Sequence, residues 1–140
     1  MDIAINSQSI NDKCVLLSSY EGRDYTVDGE NQYLKVKLTS QEKDLINQWT
    51  TEAANKITSA FSSLGAKFDH GKITIPIDNN RVEGTNLTTY AEEAIVAYIM
   101  ANWLKERKPT RYEHYTTLYA DMIHIFTKTI LQKTEPKLTE

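Results

Sequence analysis

The side chains able to do chemistry in this chain of 140 residues are few and scattered. Its three histidines are His70, His114 and His124. His70 falls in the turn signal Asp69-His70-Gly71. His114 and His124 are ten apart on one expected helix, about 280° around its axis, so they share no face on which a metal could sit. No HExxH, CxxC or His–carboxylate cluster occurs, and ligand spacing is the strongest sign of a zinc site in a sequence. Asp121 and His124 are three apart, which reads as an ordinary surface pair on a helix rather than a catalytic dyad. The single cysteine, Cys14, excludes an internal disulfide. Its run Cys14-Val15-Leu16-Leu17 reads as a buried strand holding an inert thiol. There is no G-x-S-x-G and no phosphate-binding loop, and the five glycines are dispersed. Glu92-Glu93 reads as a pair of first-turn acids favoured by the helix dipole. Asp24, Asp28 and Glu30 share one loop, where a metal-dependent nuclease would gather its acids, but loop acids of this kind are ordinarily solvated. These residues point away from an enzyme, and they call for no metal or cofactor.

Binding chemistry has better candidates. Lys105, Arg107, Lys108 and Arg111 form the one dense basic patch, interrupted by Glu106. They can neutralise the C-terminal end of a helix, or meet an acidic partner or DNA phosphates. The overall net charge of −3 argues against binding nucleic acid through bulk electrostatics. Eight tyrosines and two tryptophans supply aromatic surface of the kind enriched at interfaces. Tyr98, Met100 and Trp103 are the candidate subunit interface.

The elements that must position these residues follow from periodicity. The expected fold is mainly α, a three-helix core with an N-terminal β-hairpin and a short inserted one. Residues 1–12 show no clear period and read as a flexible or docking arm. Cys14 to Ser19 and the alternating Tyr33 to Leu38 read as two strands, joined by a loop with Asp28-Gly29 as its turn. Helix one opens at Thr39, which has capping-box spacing to Glu42, and runs along Leu45, Ile46, Trp49, Ala53, Ile57, Ala60, Phe61 and Leu64 to a stop at Gly65. A hairpin turning at His70-Gly71 follows, with Ile73, Ile75 and Ile77 on one face. Pro76 marks an edge strand or a strand end. Asp78 to Asn86 is a polar loop. Helix two runs from about Thr88 to Glu106, with a second capping box at Thr89 and Glu92. Pro109 breaks it. Helix three starts at Thr110, boxed with Glu113, and carries the stripe Tyr112, Tyr115, Tyr119, Met122, Ile123, Phe126 and Ile130. So short a turn between helices two and three requires antiparallel packing. Residues 13–133 read as a single domain and 134–140 as a tail.

Helix two is apolar nearly all round from Ala94 to Leu104. Such a helix is buried on every side, and a chain of this size would struggle to surround it. Part of it is therefore expected to face another subunit.

The stretch from Ala91 to Leu104, the short basic turn with Pro109, then Tyr112-Glu113-His114-Tyr115 and Tyr119 through Leu131, resembles the small head–tail connector proteins of tailed bacteriophages. The helix from Gln41 to Leu64 and the Ile73–Ile77 strand also fit that order of elements. The resemblance covers about 90 residues, and the first 38 have no counterpart in it. It implies a mainly helical, non-catalytic virion protein in the neck. Its partners would be the portal and tail or other neck proteins. It would assemble as a homo-oligomeric ring, commonly a dodecamer, with possible non-specific contact to packaged DNA. The alternative is a small phage or bacterial regulatory or inhibitor protein that binds a single protein target. The N-terminus reads as lacking a signal peptide, and the longest apolar run, Ala94 to Ala101, is far short of a membrane span. Assembly in the host cytoplasm and residence in the virion are the corresponding expectations.

Overall fold

The computed structural model describes residues 2–23, 26–27, 29–31, 33–76 and 87–134. Ile77, the loop 78–86, Asp24, Asp28 and the tail beyond 134 lie outside the described residues. The protein is mainly helical with a small antiparallel sheet. In chain order the described elements are β1 (Asp2–Ala4), α1 (Ser7–Arg23), β2 (Thr26–Val27), β3 (Glu30–Asn31), α2 (Tyr33–Val36), α3 (Lys43–Ala60), β4 (Lys67–Asp69), β5 (Lys72–Thr74), α4 (Leu87–Arg107) and α5 (Pro109–Thr134). Short 3₁₀ turns precede and follow α3, at Ser40–Glu42 and Ser62–Leu64.

The N-terminal third departs most from expectation. Residues 2–12 are folded: β1 pairs with β5 through Ile3 opposite Ile73, and α1 starts at Ser7. Asn6 caps this helix, its Oδ1 accepting the Ser9 amide at 3.0 Å. Cys14 to Ser19 lies inside α1, so the expected strand is a helix and the expected N-terminal hairpin with Tyr33–Leu38 does not form. The buried face of α1 is Ile10, Asn11, Cys14, Ser18 and Gly22, a four-residue rhythm of mostly small and polar side chains. Its weak apolar contrast hides the helical period. The small residues have a purpose in packing. A β-carbon on Gly22 would stand 3.1 Å from the Tyr33 backbone and 3.2 Å from Val36 Cβ, so α1 and α2 touch closely there.

Tyr33–Leu38 is one helical turn followed by coil. Asn31 Oδ1 accepts the Tyr33 amide at 2.7 Å and opens the turn. Val36 and Leu38 are both fully buried, as strand alternation also required. The Leu38 amide donates to Ser18 Oγ at 2.7 Å, and the Trp103 indole donates to the Val36 carbonyl. Tertiary hydrogen bonds decide this segment, where the local pattern permits either form.

The remainder follows the sequence closely. Glu42 Oε2 accepts both the amide (2.8 Å) and the hydroxyl of Thr39, and Thr39 Oγ1 accepts the Gln41 amide at 3.3 Å. Only the Glu42 half of the first capping box is formed, and it caps the 3₁₀ turn that precedes α3: the Glu42 amide donates to the Thr39 carbonyl at 3.1 Å and not to its hydroxyl. Gly65 adopts the left-handed conformation, φ 82°, one 3₁₀ turn after α3 ends. On this helix Ile46, Ala53, Ile57 and Phe61 are buried, whereas Ala60 and Leu64 are exposed. The β4–β5 hairpin turns at His70-Gly71, and β5 is the central strand of the order β1-β5-β4. It ends at Thr74, so of the two expectations for Pro76 the strand end holds and the edge strand does not.

The second and third capping boxes are not helix starts. Thr89 and Thr110 lie inside α4 and α5, which open at Leu87 and Pro109, and Glu92 instead pairs with Lys13 at 3.4 Å. Proline suits the first helical position because its missing N–H had no partner to lose. Tyr98 and Tyr119 stand about equally far from the Lys108 turn, with ring centroids 5.6 Å apart, as antiparallel packing of α4 and α5 requires.

The core lies around α4. It packs against α1, α3 and α5, with lesser contacts to α2 and β1. Ile95, Ile99, Met100 and Leu104 are fully buried within one chain. The neighbour missing from the sequence reading was α1. With it in place, a single chain encloses the apolar helix, and the physical argument for burying α4 against a second subunit falls away.

Candidate functional site

Two of the four basic residues of the α4–α5 turn, Lys108 and Arg111, converge on one acid. Glu21, near the end of α1, is only 10% exposed. Lys108 Nζ donates to its Oε2 at 3.1 Å and to its backbone carbonyl at 2.6 Å. Arg111 Nε donates to both carboxylate oxygens, at 3.0 and 2.9 Å. The Tyr115 hydroxyl reaches Oε1 at 3.3 Å. Burial by itself would raise the Glu21 pKa. The hydrogen bonds and charges of Arg111 and Lys108 outweigh it and hold the carboxyl below its ordinary value. Burial, and then the Glu21 charge, push the Tyr115 hydroxyl up to about 12.

The other two basic residues are also engaged. The Arg107 guanidinium lies 3.4 Å from the centroid of the Trp103 ring and donates to the Trp103 carbonyl at 3.0 Å. That contact places a cation on the last carbonyls of α4, where the helix dipole favours it. Lys105 Nζ is 5.9 Å from the Tyr112 ring. The candidate phosphate contacts Lys105, Arg107, Lys108 and Arg111 are thus held by internal partners. Lys108 is 17% exposed, so a strand of DNA could not reach it without breaking the Glu21 cluster. Glu21 is the residue the sequence reading missed. It belongs to a helix whose local pattern is that of a strand followed by a loop.

The candidate subunit interface divides similarly. Met100 is fully buried and Trp103 nearly so, its indole bound to Val36, and both belong to the core. Tyr98 is half-buried between α3 and α4. Its hydroxyl donates to Glu52 Oε2 at 3.2 Å, and Lys56 Nζ sits 5.2 Å over its ring. None of the three offers a free apolar face.

An open apolar face occurs elsewhere. Between α1, α4 and α5 runs a groove of about 410 Å³. Leu17, Val96, Ala97 and Leu118 form its walls, and Tyr115 ties it to the Glu21 cluster. Leu16 stands on its lip, 52% exposed, and Tyr20, one turn along α1, is 54% exposed. Lys13 and Glu93 rim it. Isolated exposed leucines are common, and Leu16 differs from them in bordering a groove of apolar side chains. Leu16 and Leu17 were visible in the sequence as part of the Cys14–Leu17 run. Only the helical geometry of α1 turns Leu16 outward while burying Cys14.

The groups singled out for chemistry stay apart. Cys14 is fully buried and its thiol is pushed up to about 12 by burial, the opposite of an activated nucleophile. His70 is in the β4–β5 turn beside Asp69, His114 meets the edge of Tyr115, and His124 is exposed near the other end of α5. Among the described residues no three His, Cys, Asp or Glu side chains gather where they could hold a metal ion, and no helix is long and apolar enough to cross a membrane.

No known protein family, curated protein or solved structure matches this chain.

Proposed function

We propose that this chain is a non-catalytic structural protein that works through protein–protein contacts, as a component of the neck of a tailed-phage virion between portal and tail. The observation that carries the protein-binding reading is the open groove between α1, α4 and α5, with Leu16 exposed on its lip. The neck assignment draws on the resemblance of the segment from Ala91 to Leu131 to head–tail connectors, a segment that folds as the antiparallel pair α4 and α5. A ring of such subunits would have to be built from surfaces other than Met100 and Trp103. Mass spectrometry of purified virions tests the assignment, together with co-sedimentation of the purified chain with portal protein. Stoichiometric presence in virions and portal binding are expected. A chain missing from virions and indifferent to the portal would overturn it.

A second reading is a small regulatory or inhibitor protein with a single protein target. The enclosure of α4 within one chain favours it, since Ile95, Ile99, Met100 and Leu104 are already fully buried without a second copy. A pull-down dominated by one host protein, with the chain absent from virions, would select this reading over the neck.

A further inference from the structure

The groove and its rim have a chemistry that specifies an occupant. Its walls are apolar, and its volume of about 410 Å³ has room for a few leucine-sized anchors. The groove is lined by one base and one acid, Lys13 and Glu93, and the depressions beside it add three acids against Lys37 and His114. Leu118 also borders a depression that holds Glu113 and Asp121, and Leu16 borders another that holds Asp12. All four acids are exposed. The cations nearby are already committed. Lys13 pairs with Glu92 at 3.4 Å, and Lys37 lies 5.3 Å over the Tyr33 ring. An apolar channel between helices, flanked on three elements by exposed acids that form no ion pair among the described residues, suits an amphipathic helix with an apolar stripe and basic flanks.

We infer that the groove between α1, α4 and α5 docks a basic amphipathic helix of a partner protein, with leucine-type anchors between Val96, Ala97 and Leu118 and Lys or Arg side chains facing Glu93, Glu113 and Asp121. The inference rests on the protein-binding reading above and adds the partner's chemistry.

The test uses the full chain and three fluorescein-labelled synthetic helical peptides, read by fluorescence anisotropy at low and high salt. The first peptide has leucines at i, i+3 and i+7 with lysines on the flanks. The second replaces the lysines with glutamates. The third keeps the lysines and scrambles the leucines. The basic peptide is expected to bind about tenfold tighter than the acidic one, because exposed ion pairs each contribute a fraction of the 1.4 kcal/mol that makes a factor of ten. Added salt should narrow that preference. The scrambled peptide should lose binding. Leu16→Asp, at a half-exposed position that the fold does not need, should abolish binding of the basic peptide, and E93K with D121K should reverse the charge preference. Equal binding of the two charge versions overturns the inference, as does binding that survives Leu16→Asp or no binding at all. Sedimentation of the chain alone checks a different occupant: self-association abolished by Leu16→Asp would assign the groove to a second copy and overturn the proposal. Failure here leaves virion incorporation and portal binding to be judged by their own experiments, so the two conclusions fail separately.

Discussion

Replacing Glu21 with glutamine probes the link between α1 and the α4–α5 turn, because it keeps the side chain's volume and removes only its charge. Three donors converge on the carboxylate: Lys108 Nζ, Arg111 Nε and the Tyr115 hydroxyl. A hydrogen bond to a charged group is worth about 1.5–3 kcal/mol net. The amide oxygen of glutamine can keep one donor, but its N–H₂ then points at a cation. Lys108 keeps its bond to the Glu21 carbonyl in either case. Arg111 is 37% exposed and recovers part of its loss from water. The expected cost is therefore at the low end, about 2 kcal/mol. Unfolding entropy of about 2.1 cal/mol/K per residue makes this roughly 7 °C in Tm for a chain of this length. The Glu21 pKa is lower folded than unfolded, so its stabilisation is complete above the ordinary value of 4.5 and is lost as pH falls through the lower folded value. Urea titrations followed by circular dichroism, at neutral pH and at intervals below 4.5, should show a gap between wild type and E21Q that closes as pH falls. Equal stability at neutral pH, or a gap that does not shrink in acid, would refute the account of Glu21 as the ionised hub of this junction.

Four further outcomes follow from the packing. Gly22→Ala should lose stability despite a gain in helix propensity of about 1 kcal/mol, because a Cβ there meets the Tyr33 backbone in a turn anchored by Trp103 and Ser18. Overpacking costs typically about 1–3 kcal/mol, and a stabilised variant would contradict the close approach. Met100→Ala should cost about 2–5 kcal/mol in denaturant unfolding and leave the sedimentation coefficient unchanged, as for a core residue; a change of oligomeric state would return Met100 to an interface. Deleting residues 1–12 removes the fully buried Ile3 and Ile10 and should destabilise the fold by about 4 kcal/mol or more in thermal unfolding, whereas loss of a mere arm would leave Tm unmoved. Cys14 should resist a thiol-specific reagent at pH 8 in the native protein and react at once in denaturant, since burial holds its thiol near 12; fast native labelling would mean that α1 opens.

The amino-acid sequence was most legible where one strong apolar stripe or one specific turn residue decides the local form. Helices α3, α4 and α5, the Glu42 bond back to the Thr39 amide, the left-handed Gly65 and the hairpin at His70-Gly71 all belong to that class. Each depends on contacts within a few residues, so neighbours along the chain carry the information. The second and third capping boxes misled because a Thr and a Glu three apart are also common inside a first turn. There Glu92 found a tertiary partner in Lys13.

Chain patterning alone determined a mainly helical domain built on the pair α4 and α5, and it determined that α4 had to be covered on all sides. Only the tertiary structure decided what covers it. The cover that patterning left out is α1, whose buried face of Ile10, Asn11, Cys14, Ser18 and Gly22 has too little apolar contrast to announce a helix, and whose Gly22 lets it approach α2 closely. The same helix brings Glu21 to the basic turn and Leu16 to the lip of the groove. Periodicity reports which face of a segment is apolar. Close approach and charge convergence depend on segments far apart in the chain, and no local pattern records them.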